Sequence, residues 1–250
     1  MFKYRVGGAI VWDSTPEDEW EETIVKSKFL TANHAGLKLI ETVKIEDGEP
    51  VFGREHFFRM KKGAQALGFA FDEAAAGEIF GFLRSGNAVV DPLTPNFYPI
   101  NEKTAIMRVL LGKEGRFEVS FREFDAPKSF KIAVSGEKVC SKEPLLRHKT
   151  TYRPHFEAAF EKIKNGEIYD EIFFNENGEL TEGARTNIVI EKGGEFFTPP
   201  VECGLLNGIF RQELLKSGKC KEKILKMYDL ESADAIFCVN SVRGMVKVCF

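Results

Sequence analysis

Three features in the second half of the sequence combine residue types that could do chemistry together. Lys149 lies in a polar loop, and a lysine amine can form a Schiff base and move protons when burial or nearby cations lower its pKa. Glu182 lies in the segment TEGARTN, where a carboxylate at a strand edge could pair with a ring nitrogen. The segment 204–211, GLLNGIFR, predicts the start of a helix, whose free backbone N–H groups could bind an anion.

Each feature also has a plainer interpretation when it is taken alone. Lys149 could be one surface lysine among many, Glu182 could be an exposed acid, and residues 204–208 could form an ordinary turn. Taken together, an amine, an acid and a phosphate cradle are what pyridoxal 5′-phosphate needs, because that cofactor carries a carbonyl, a pyridine nitrogen and a phosphate. The residues permit this cofactor but do not require it.

The apolar patterns predict the elements that must position these residues. Residues 37–46 favour a strand, and Asp47-Gly48 favours a hairpin turn with a return strand that begins at 51–52. Residues 54–69 favour a helix, because their apolar side chains recur at intervals of three and four. Further strands are predicted at 1–12, 104–111, 116–122, 129–135, 168–174, 185–191, 195–198, 234–240 and 244–250, a loop at 86–101, and further helices at 72–83, from Pro154 to Asn165 and at 209–216.

The composition is that of a globular protein without a strong charge bias. The chain has 250 residues, of which 43% are hydrophobic, and its 35 basic and 38 acidic residues give a net charge of −3. This balance argues against nucleic acid as the main partner, because phosphate-binding surfaces usually bring a basic excess. No apolar run approaches the roughly 20 residues that a membrane helix needs. The first residues also lack the pattern of a signal peptide, so we expect a cytoplasmic protein without a membrane segment.

Several common functional motifs are absent from the sequence. The five cysteines include no CxxC pair, so we expect free thiols in a reducing compartment. The four histidines have no metal-ligand spacing, and we predict no metal site. The sequence has no GxSxG, P-loop or GxGxxG segment, which argues against the commonest hydrolase, nucleotide and dinucleotide sites.

Four segments resemble the signature of the class IV aminotransferase family, the pyridoxal-phosphate enzymes of fold type IV. The residues 182–188, EGARTNI, are followed by Phe197-Thr-Pro-Pro and by 204–209, GLLNGI. Upstream, the helix that begins at His56-Phe-Phe-Arg59 is similar to the HxxRL helix of the family. Lys149 lies 33 residues before Glu182, which suits the family's Schiff-base lysine, and the resemblance covers roughly 37–250.

The resemblance implies a fold and an assembly. The fold would be α/β (α+β), two-lobed and similar to D-amino-acid aminotransferase, with the cofactor between the lobes. The small N-terminal lobe would occupy 1–125, and the larger C-terminal lobe, 126–250, would carry Lys149 and the phosphate site. The partners implied are a small-molecule amino substrate and a second copy of the chain in a homodimer.

The resemblance also implies roles for individual residues. Lys149 would form the Schiff base and move protons, Glu182 would bind the pyridine nitrogen, and Arg59 would bind the phosphate. The remaining cofactor contacts would come from Leu206 on the ring, the backbone amides of Ile209 and Phe210, the hydroxyl of Ser241, and the neighbouring Asn240. Many relatives have threonine where this chain has Phe210, so a hydroxyl contact is lost there.

Within the family, three segments favour aminodeoxychorismate lyase. Residues 39–42, LIET, followed by the Asp47-Gly48 turn, resemble the lyase entry strand. Residues 145–153, LLRHKTTYR, resemble the lysine loop of lyase domains, and 239–244, VNSVRG, resemble the lyase loop on the phosphate side. Lys149 would exchange with the 4-amino group of 4-amino-4-deoxychorismate and remove the C4 proton. Loss of the enolpyruvyl group would then give 4-aminobenzoate and pyruvate, a step of folate biosynthesis.

Three further residues are candidates for handling that substrate. The resemblance implies that Thr42 occupies the place of a hydroxyl that, in the lyase family, helps to protonate the departing group, although it could equally be an ordinary strand residue. Arg243 and Arg108 are candidates to bind the two carboxylates, because a guanidinium can grip a carboxylate through two hydrogen bonds. The plainer interpretation of Arg108 is a charge on the surface of a strand.

Two other functions remain open. An aminotransferase acting on branched-chain or D-amino acids would use the same Lys149, Arg59 and Glu182 and would add a second half-reaction with a keto acid. A non-catalytic dimer that keeps the fold is the third reading, and the presence of all three residues argues against it.

Overall fold

The structure is a computed structural model that describes residues 36–81 and 104–250. Within these residues the chain forms two β-sheets with helices packed against them. This mixed architecture confirms the predicted α/β (α+β) class. The strand expected at 1–12 and the loop expected at 86–101 lie outside the described residues.

The first sheet has four antiparallel strands in the order β2-β1-β3-β4. The register places Thr42 opposite Arg108, and Arg108 opposite Ser120. Residues that face each other across antiparallel strands project from the same side of a sheet, so these three form one row. The strands are β1 (Leu39–Glu46), β2 (Glu49–Pro50), β3 (Thr104–Leu111) and β4 (Phe117–Glu123).

Two helices follow the first hairpin. Helix α1 (Gly53–Leu67) buries the predicted apolar stripe and ends at Gly68, whose φ of +65° suits glycine. The buried stripe includes Phe57 and Met60, and burying each of these side chains contributes roughly 1.5–3 kcal/mol. Helix α2 (Glu73–Ile79) begins after Asp72, whose side chain accepts hydrogen bonds from the backbone N–H groups of the first turn.

The prediction that a return strand begins at 51–52 is wrong. The chain pairs with β1 at Glu49–Pro50, directly after the Asp47-Gly48 turn, and the strand ends at Pro50. Phe52 adopts a left-handed backbone conformation, with φ of +57°, which turns the chain into helix α1. The apolar residues at 51–52 therefore form a turn that leads into the helix.

The second sheet has eight strands, of which six follow the order β10-β9-β8-β7-β6-β5. β11 pairs with β8 and with β12. Two pairs, β5 with β6 and β9 with β10, are parallel, and the others are antiparallel. The strands are β5 (Ile132–Val139), β6 (Asp170–Asn175), β7 (Leu180–Gly183), β8 (Asn187–Lys192), β9 (Glu195–Thr198), β10 (Lys221–Glu222), β11 (Ala235–Asn240) and β12 (Gly244–Val248).

Three helices accompany the second sheet. A 3-10 turn at Pro154–Phe156 leads into α3 (Glu157–Asn165), which connects the parallel strands β5 and β6. The other two helices are α4 (Ile209–Lys216) and α5 (Met227–Glu231). The side chains of Ile188–Ile190 are fully buried, so β8 is covered on both faces, which explains its uninterrupted apolar run.

The second half also corrects several predicted elements. The strand expected at 185–191 is preceded by a separate strand, β7, and the backbone N–H of Gly183 donates to the carbonyl of Thr186 at 2.8 Å in the turn between β7 and β8. The strand expected at 129–135 begins at Ile132 and runs to Val139. β4 ends at Glu123, and the boundary between lobes near residue 125 stays a prediction.

No helix among residues 36–81 and 104–250 is long and apolar enough to span a bilayer. All five cysteines are in this part of the chain and are free thiols, three of them buried and two exposed.

Candidate active site

A cavity of about 390 Å³ lies between the two sheets. Strands β1, β3 and β4 supply one wall, and the segments 182–187, 206–209 and 239–243 supply the other. Among the described residues its lining contains seven basic side chains and one carboxylate, namely Arg59, Arg108, Arg122, Lys149, Arg153, Arg185 and Arg243 against Glu182. The cavity is therefore built to receive negative charge.

Lys149 is held against the first strand by its own backbone. The Ile40 N–H donates to the Lys149 carbonyl at 2.9 Å, and the Thr151 N–H donates to the Lys38 carbonyl at 2.9 Å. Burial, followed by the charges of Arg153 and Arg59, lowers the pKa of Lys149 to about 7. A large share of its amine is therefore neutral near pH 7, which a nucleophile or a proton acceptor requires.

Glu182 is a buried acid with an unsatisfied oxygen. It lies on β7 opposite Asn187, and its side chain is 3% exposed. Burial raises the pKa of Glu182 to about 7, against the opposing effects of Arg153 and a Leu206 backbone hydrogen bond. Its Oε1 has no hydrogen-bond partner among residues 36–81 and 104–250. A buried acceptor left unpaired is costly, so this oxygen fits a ligand that presents an N–H group.

The start of helix α4 forms an anion cradle beside Glu182. Its N-cap, Gly208, offers no side chain to the first backbone N–H groups, which belong to Ile209 and Phe210. A Cβ at Gly208 would lie 2.0 Å from Oδ1 of Asn187, so the close approach requires glycine. Nδ2 of Asn187 donates to the Leu206 carbonyl at 2.8 Å and fixes the loop that enters the helix.

The side chain of Phe210 turns away from this cradle. Its ring meets Phe52 edge-on, with the ring centres 6.5 Å apart and the planes at 81°. Only the backbone of Phe210 is therefore available to an anion at the helix start.

Ser241 lies in a tight turn between β11 and β12 that borders the same cavity. Oδ1 of Asn240 accepts hydrogen bonds from the backbone N–H groups of Val242 at 3.1 Å and Arg243 at 2.8 Å. Asn240, predicted as a cofactor contact, therefore shapes the turn that presents Ser241.

The substrate candidates lie on the opposite wall. Thr42 and Arg108 are directly opposite each other in β1 and β3, and with Ser120 they border the cavity as one row. Nη2 of Arg243 lies 3.2 Å from Oδ1 of Asp125, and its guanidinium stacks over Phe124 with its central carbon 5.0 Å from the ring centre. Arg243 therefore already shares its charge with an acid at the rim.

Two further arginines, which the sequence did not predict as site residues, border the cavity with Lys149 and Glu182. Arg153 donates from Nη1 to the Ala184 carbonyl at 3.1 Å and lies over the Phe156 ring. Arg185, which no motif argument singled out, donates from Nη2 to the Tyr169 carbonyl at 2.7 Å. Both border the cavity.

Glu41 has a place in the site that the sequence did not predict. It lies beneath Arg59 and is 1% exposed. Its neighbours on the buried face of β1 are Leu39 and Val43, so it interrupts an apolar row. An acid in the buried phase of an alternating strand was the signal that could have found it.

Two family models match parts of the sequence. The family model for amino-transferase class IV matches residues 38–249. The family model for chorismate binding enzyme matches residues 1–32.

Individual relatives carry two kinds of name. A Schizosaccharomyces pombe protein, named provisionally as an aminodeoxychorismate lyase, is 26% identical over 84% of this chain and 87% of its own length. A Thermotoga maritima protein, named provisionally as a branched-chain-amino-acid aminotransferase, is 31% identical, but the match spans 33% of this chain and 32% of that relative. A solved Mesorhizobium loti structure, named provisionally as an amino-acid aminotransferase, is 29% identical with a TM-score of 0.73, over 86% of this chain and 100% of its own.

Proposed function

The chain belongs to the class IV aminotransferase family, and from this membership we propose that it is a pyridoxal-phosphate-dependent aminodeoxychorismate lyase. Its products would be 4-aminobenzoate and pyruvate. The family is pyridoxal-phosphate-dependent in general, and the proposal lies in the choice of reaction and of the residues that perform it.

The charge of the cavity is the observation that carries this choice. Six arginines and Lys149 face one carboxylate among the described residues that line it. The substrate of the lyase has two carboxylates, and the cofactor adds a phosphate. Arg59 already pairs with Glu41, and Arg122 and Arg243 pair with Asp125. A branched-chain amino acid has one carboxylate and an apolar side chain, so it would match the remaining basic side chains less well than a substrate with two carboxylates.

The match of residues 1–32 to a chorismate binding enzyme model supports the same choice. The substrate of the lyase is an amino derivative of chorismate, so one chain would carry sequence related to both chemistries. A transaminase of branched-chain or D-amino acids has no need of a chorismate-related segment.

The residues present fit the cofactor. The unpaired oxygen of Glu182 would take the ring nitrogen, and Lys149 would hold the carbonyl carbon. Leu206 would pack on the ring. Arg59 would bind the phosphate together with the Ser241 hydroxyl and the backbone N–H groups of Ile209 and Phe210. When bound, the cofactor supplies an electron sink next to the reacting carbon.

The residues of the chain would divide the remaining work. The neutral amine of Lys149, whose pKa is lowered to about 7, would accept the proton from C4 of the substrate. The Thr42 hydroxyl would give a proton to the enolpyruvyl group as its ether bond to C3 breaks. Arg108 would bind one of the substrate carboxylates from the opposite wall.

Pyruvate release tests the proposal directly. The purified enzyme with the cofactor and 4-amino-4-deoxychorismate should release pyruvate without an added keto acid, and Lys149→Ala should reduce this release to background. Lys162→Ala is a matched control, because Lys162 pairs with Glu171 and does not border the cavity. Background release by the wild-type enzyme would contradict the lyase reaction.

An aminotransferase remains the second candidate, because the Thermotoga maritima relative carries that name over the matched region. It would use the same Lys149, Arg59 and Glu182. In the same assay it would aminate an added keto acid from an amino acid donor and would release no pyruvate from the chorismate derivative.

A further inference from the structure

A buried carboxylate fixes the guanidinium of Arg59. Oε1 of Glu41 accepts from Nε of Arg59 at 2.7 Å, and Oε2 accepts from Nη2 at 2.5 Å. This two-point contact engages one edge of the guanidinium and leaves the N–H groups of Nη1 for another acceptor. Arg59 borders the cavity, whereas Glu41 does not reach the lining that contains Glu182.

His56 fixes the carboxylate in turn. Nδ1 of His56 lies 2.6 Å from Oε2 of Glu41, and the imidazole is fully buried. Its ring stacks on Phe80, with the ring centres 6.4 Å apart and the planes at 5°. Nε2 has no hydrogen-bond partner in the described part of the chain. The contact with Glu41 is therefore the one hydrogen bond that the His56 ring makes there.

The charge states of the three groups agree with this arrangement. Burial raises the pKa of Glu41, but Arg59 and His56 outweigh it and lower the pKa to about 2. Burial lowers the pKa of His56 more than Glu41 raises it. A neutral His56 that carries its proton on Nδ1 therefore donates to an ionised Glu41, which in turn accepts from Arg59.

We propose that Glu41, oriented by His56, is a positioning residue that aims the free edge of Arg59 at the phosphate of the cofactor. The inference rests on the proposed cofactor site, and it assigns a specific task within that site. An arginine has many rotamers, and fixing one edge on a rigid carboxylate removes most of them before the phosphate arrives. The prearranged guanidinium would then favour ligands that carry a phosphate over those that lack one.

A purely structural ion pair predicts something different. Its loss would destabilise the protein and weaken every ligand of the cavity to the same degree. If the pair positions Arg59, its loss should weaken the binding of ligands that carry a phosphate and leave the binding of other ligands nearly unchanged. The ratio of two dissociation constants, for pyridoxal and for pyridoxal 5′-phosphate, separates these cases because pyridoxal lacks only the phosphate.

The experiment measures both dissociation constants on the cofactor-free enzyme by fluorescence quenching. For Glu41→Gln we expect pyridoxal 5′-phosphate to bind about 10-fold more weakly while pyridoxal changes less than about 2-fold. For His56→Gln we expect a change in the same direction of about 3-fold. Competition by inorganic phosphate should weaken in parallel.

Asp229→Asn provides the matched control. Asp229 is also a buried acid that pairs with a cation, Lys223, but it caps helix α5 and does not border the cavity. Its loss should lower the melting temperature without changing the ratio.

Each outcome decides the inference. A selective loss of the phosphate-bearing ligand, in whichever of the two variants folds, supports positioning. An unchanged ratio in a folded variant, or an equal loss of both ligands, overturns it. If Glu41→Gln does not fold, His56→Gln, which keeps the charge pair, carries the test. Failure of the wild-type enzyme to bind pyridoxal 5′-phosphate would instead overturn the proposed function.

Discussion

Two buried glutamates lie on either side of the cavity and are held in opposite ways. Glu41 is 1% exposed and Glu182 is 3% exposed, so both have lost nearly all contact with water. Arg59 and His56 satisfy the carboxylate of Glu41 and lower its pKa to about 2 against the effect of burial, whereas burial raises the pKa of Glu182 to about 7 and one of its oxygens stays unpaired. Two acids with similar burial therefore differ in their partners: Glu41, on the first sheet, is fully paired, whereas Glu182, on the second, keeps an unpaired oxygen that marks the candidate ligand site.

The largest effect on activity is expected at Glu182, the acid with the unpaired oxygen. Glu182→Gln should lower kcat/KM for pyruvate release by about 100-fold or more, because an amide cannot hold a proton on the ring nitrogen. The same change should leave the cofactor-free protein as stable as the wild type or more stable, since it removes a buried unpaired acid. Steady-state kinetics and thermal unfolding measure the two effects. A large loss of stability would show that Glu182 has a partner in the folded protein.

The largest loss of stability is expected at the ion pair between Glu41 and Arg59. Glu41→Gln should lower the free energy of unfolding by about 3 kcal/mol, because it leaves the Arg59 charge without its partner in a buried place. Urea unfolding of the cofactor-free protein measures this loss. An effect no larger than that of Glu182→Gln would erase the distinction between the two acids.

The pH dependence of stability should also separate the two acids. The pKa of Glu41 falls from 4.5 to about 2 on folding, so its stabilisation is complete above pH 4.5 and is lost as the pH falls toward 2. The pKa of Glu182 rises from 4.5 to about 7, so its contribution is complete below pH 4.5 and is lost as the pH rises through 7. Glu182→Gln should therefore gain about 3 kcal/mol on the wild type between pH 4.5 and 8, in the absence of cofactor. A constant difference would contradict the raised pKa of Glu182.

A third acid, which is exposed, should have the smallest effect. Asp125 is 60% exposed and pairs with Arg243 at the rim of the cavity. Asp125→Asn should lower KM by about 2-fold and leave kcat unchanged, because it releases Arg243 to bind a substrate carboxylate. Initial rates over a range of substrate concentrations test this. A rise in KM would mean that Asp125 orients Arg243 for the substrate.

Local sequence patterns predicted the elements around the site well. The apolar stripe and Gly68 defined helix α1 to within two residues, and the glycine-bearing segment before Ile209 gave the correct start of α4. These features depend on nearest neighbours along the chain, which a single sequence displays directly. The prediction of a return strand at 51–52 was wrong because Phe52 adopts a left-handed backbone conformation, which a phenylalanine in the sequence does not indicate.

Site residues could be predicted where the role belongs to a single residue in a recognisable segment. They could not be predicted where the role depends on a contact between distant parts of the chain. Lys149, Glu182 and Arg59 come from recognisable segments, and the structure brings all three to one cavity. The role of Glu41 depends on Arg59 lying over it from another element, and no spacing in the sequence states that contact. Likewise, nothing in the sequence near Arg243 indicates that Asp125, more than a hundred residues earlier, would share its charge.

The backbone pairing of the Lys149 loop with β1 has a mechanical consequence. Lys149 comes from the second half of the sequence, yet its carbonyl accepts from the N–H of Ile40, two residues before Thr42. The Lys149 amine, which would accept the first proton, and the Thr42 hydroxyl, which would deliver the second, are thus linked through the same backbone hydrogen bonds to β1. Any displacement of the small sheet relative to the large one would therefore move both groups together and change their distances from Glu182.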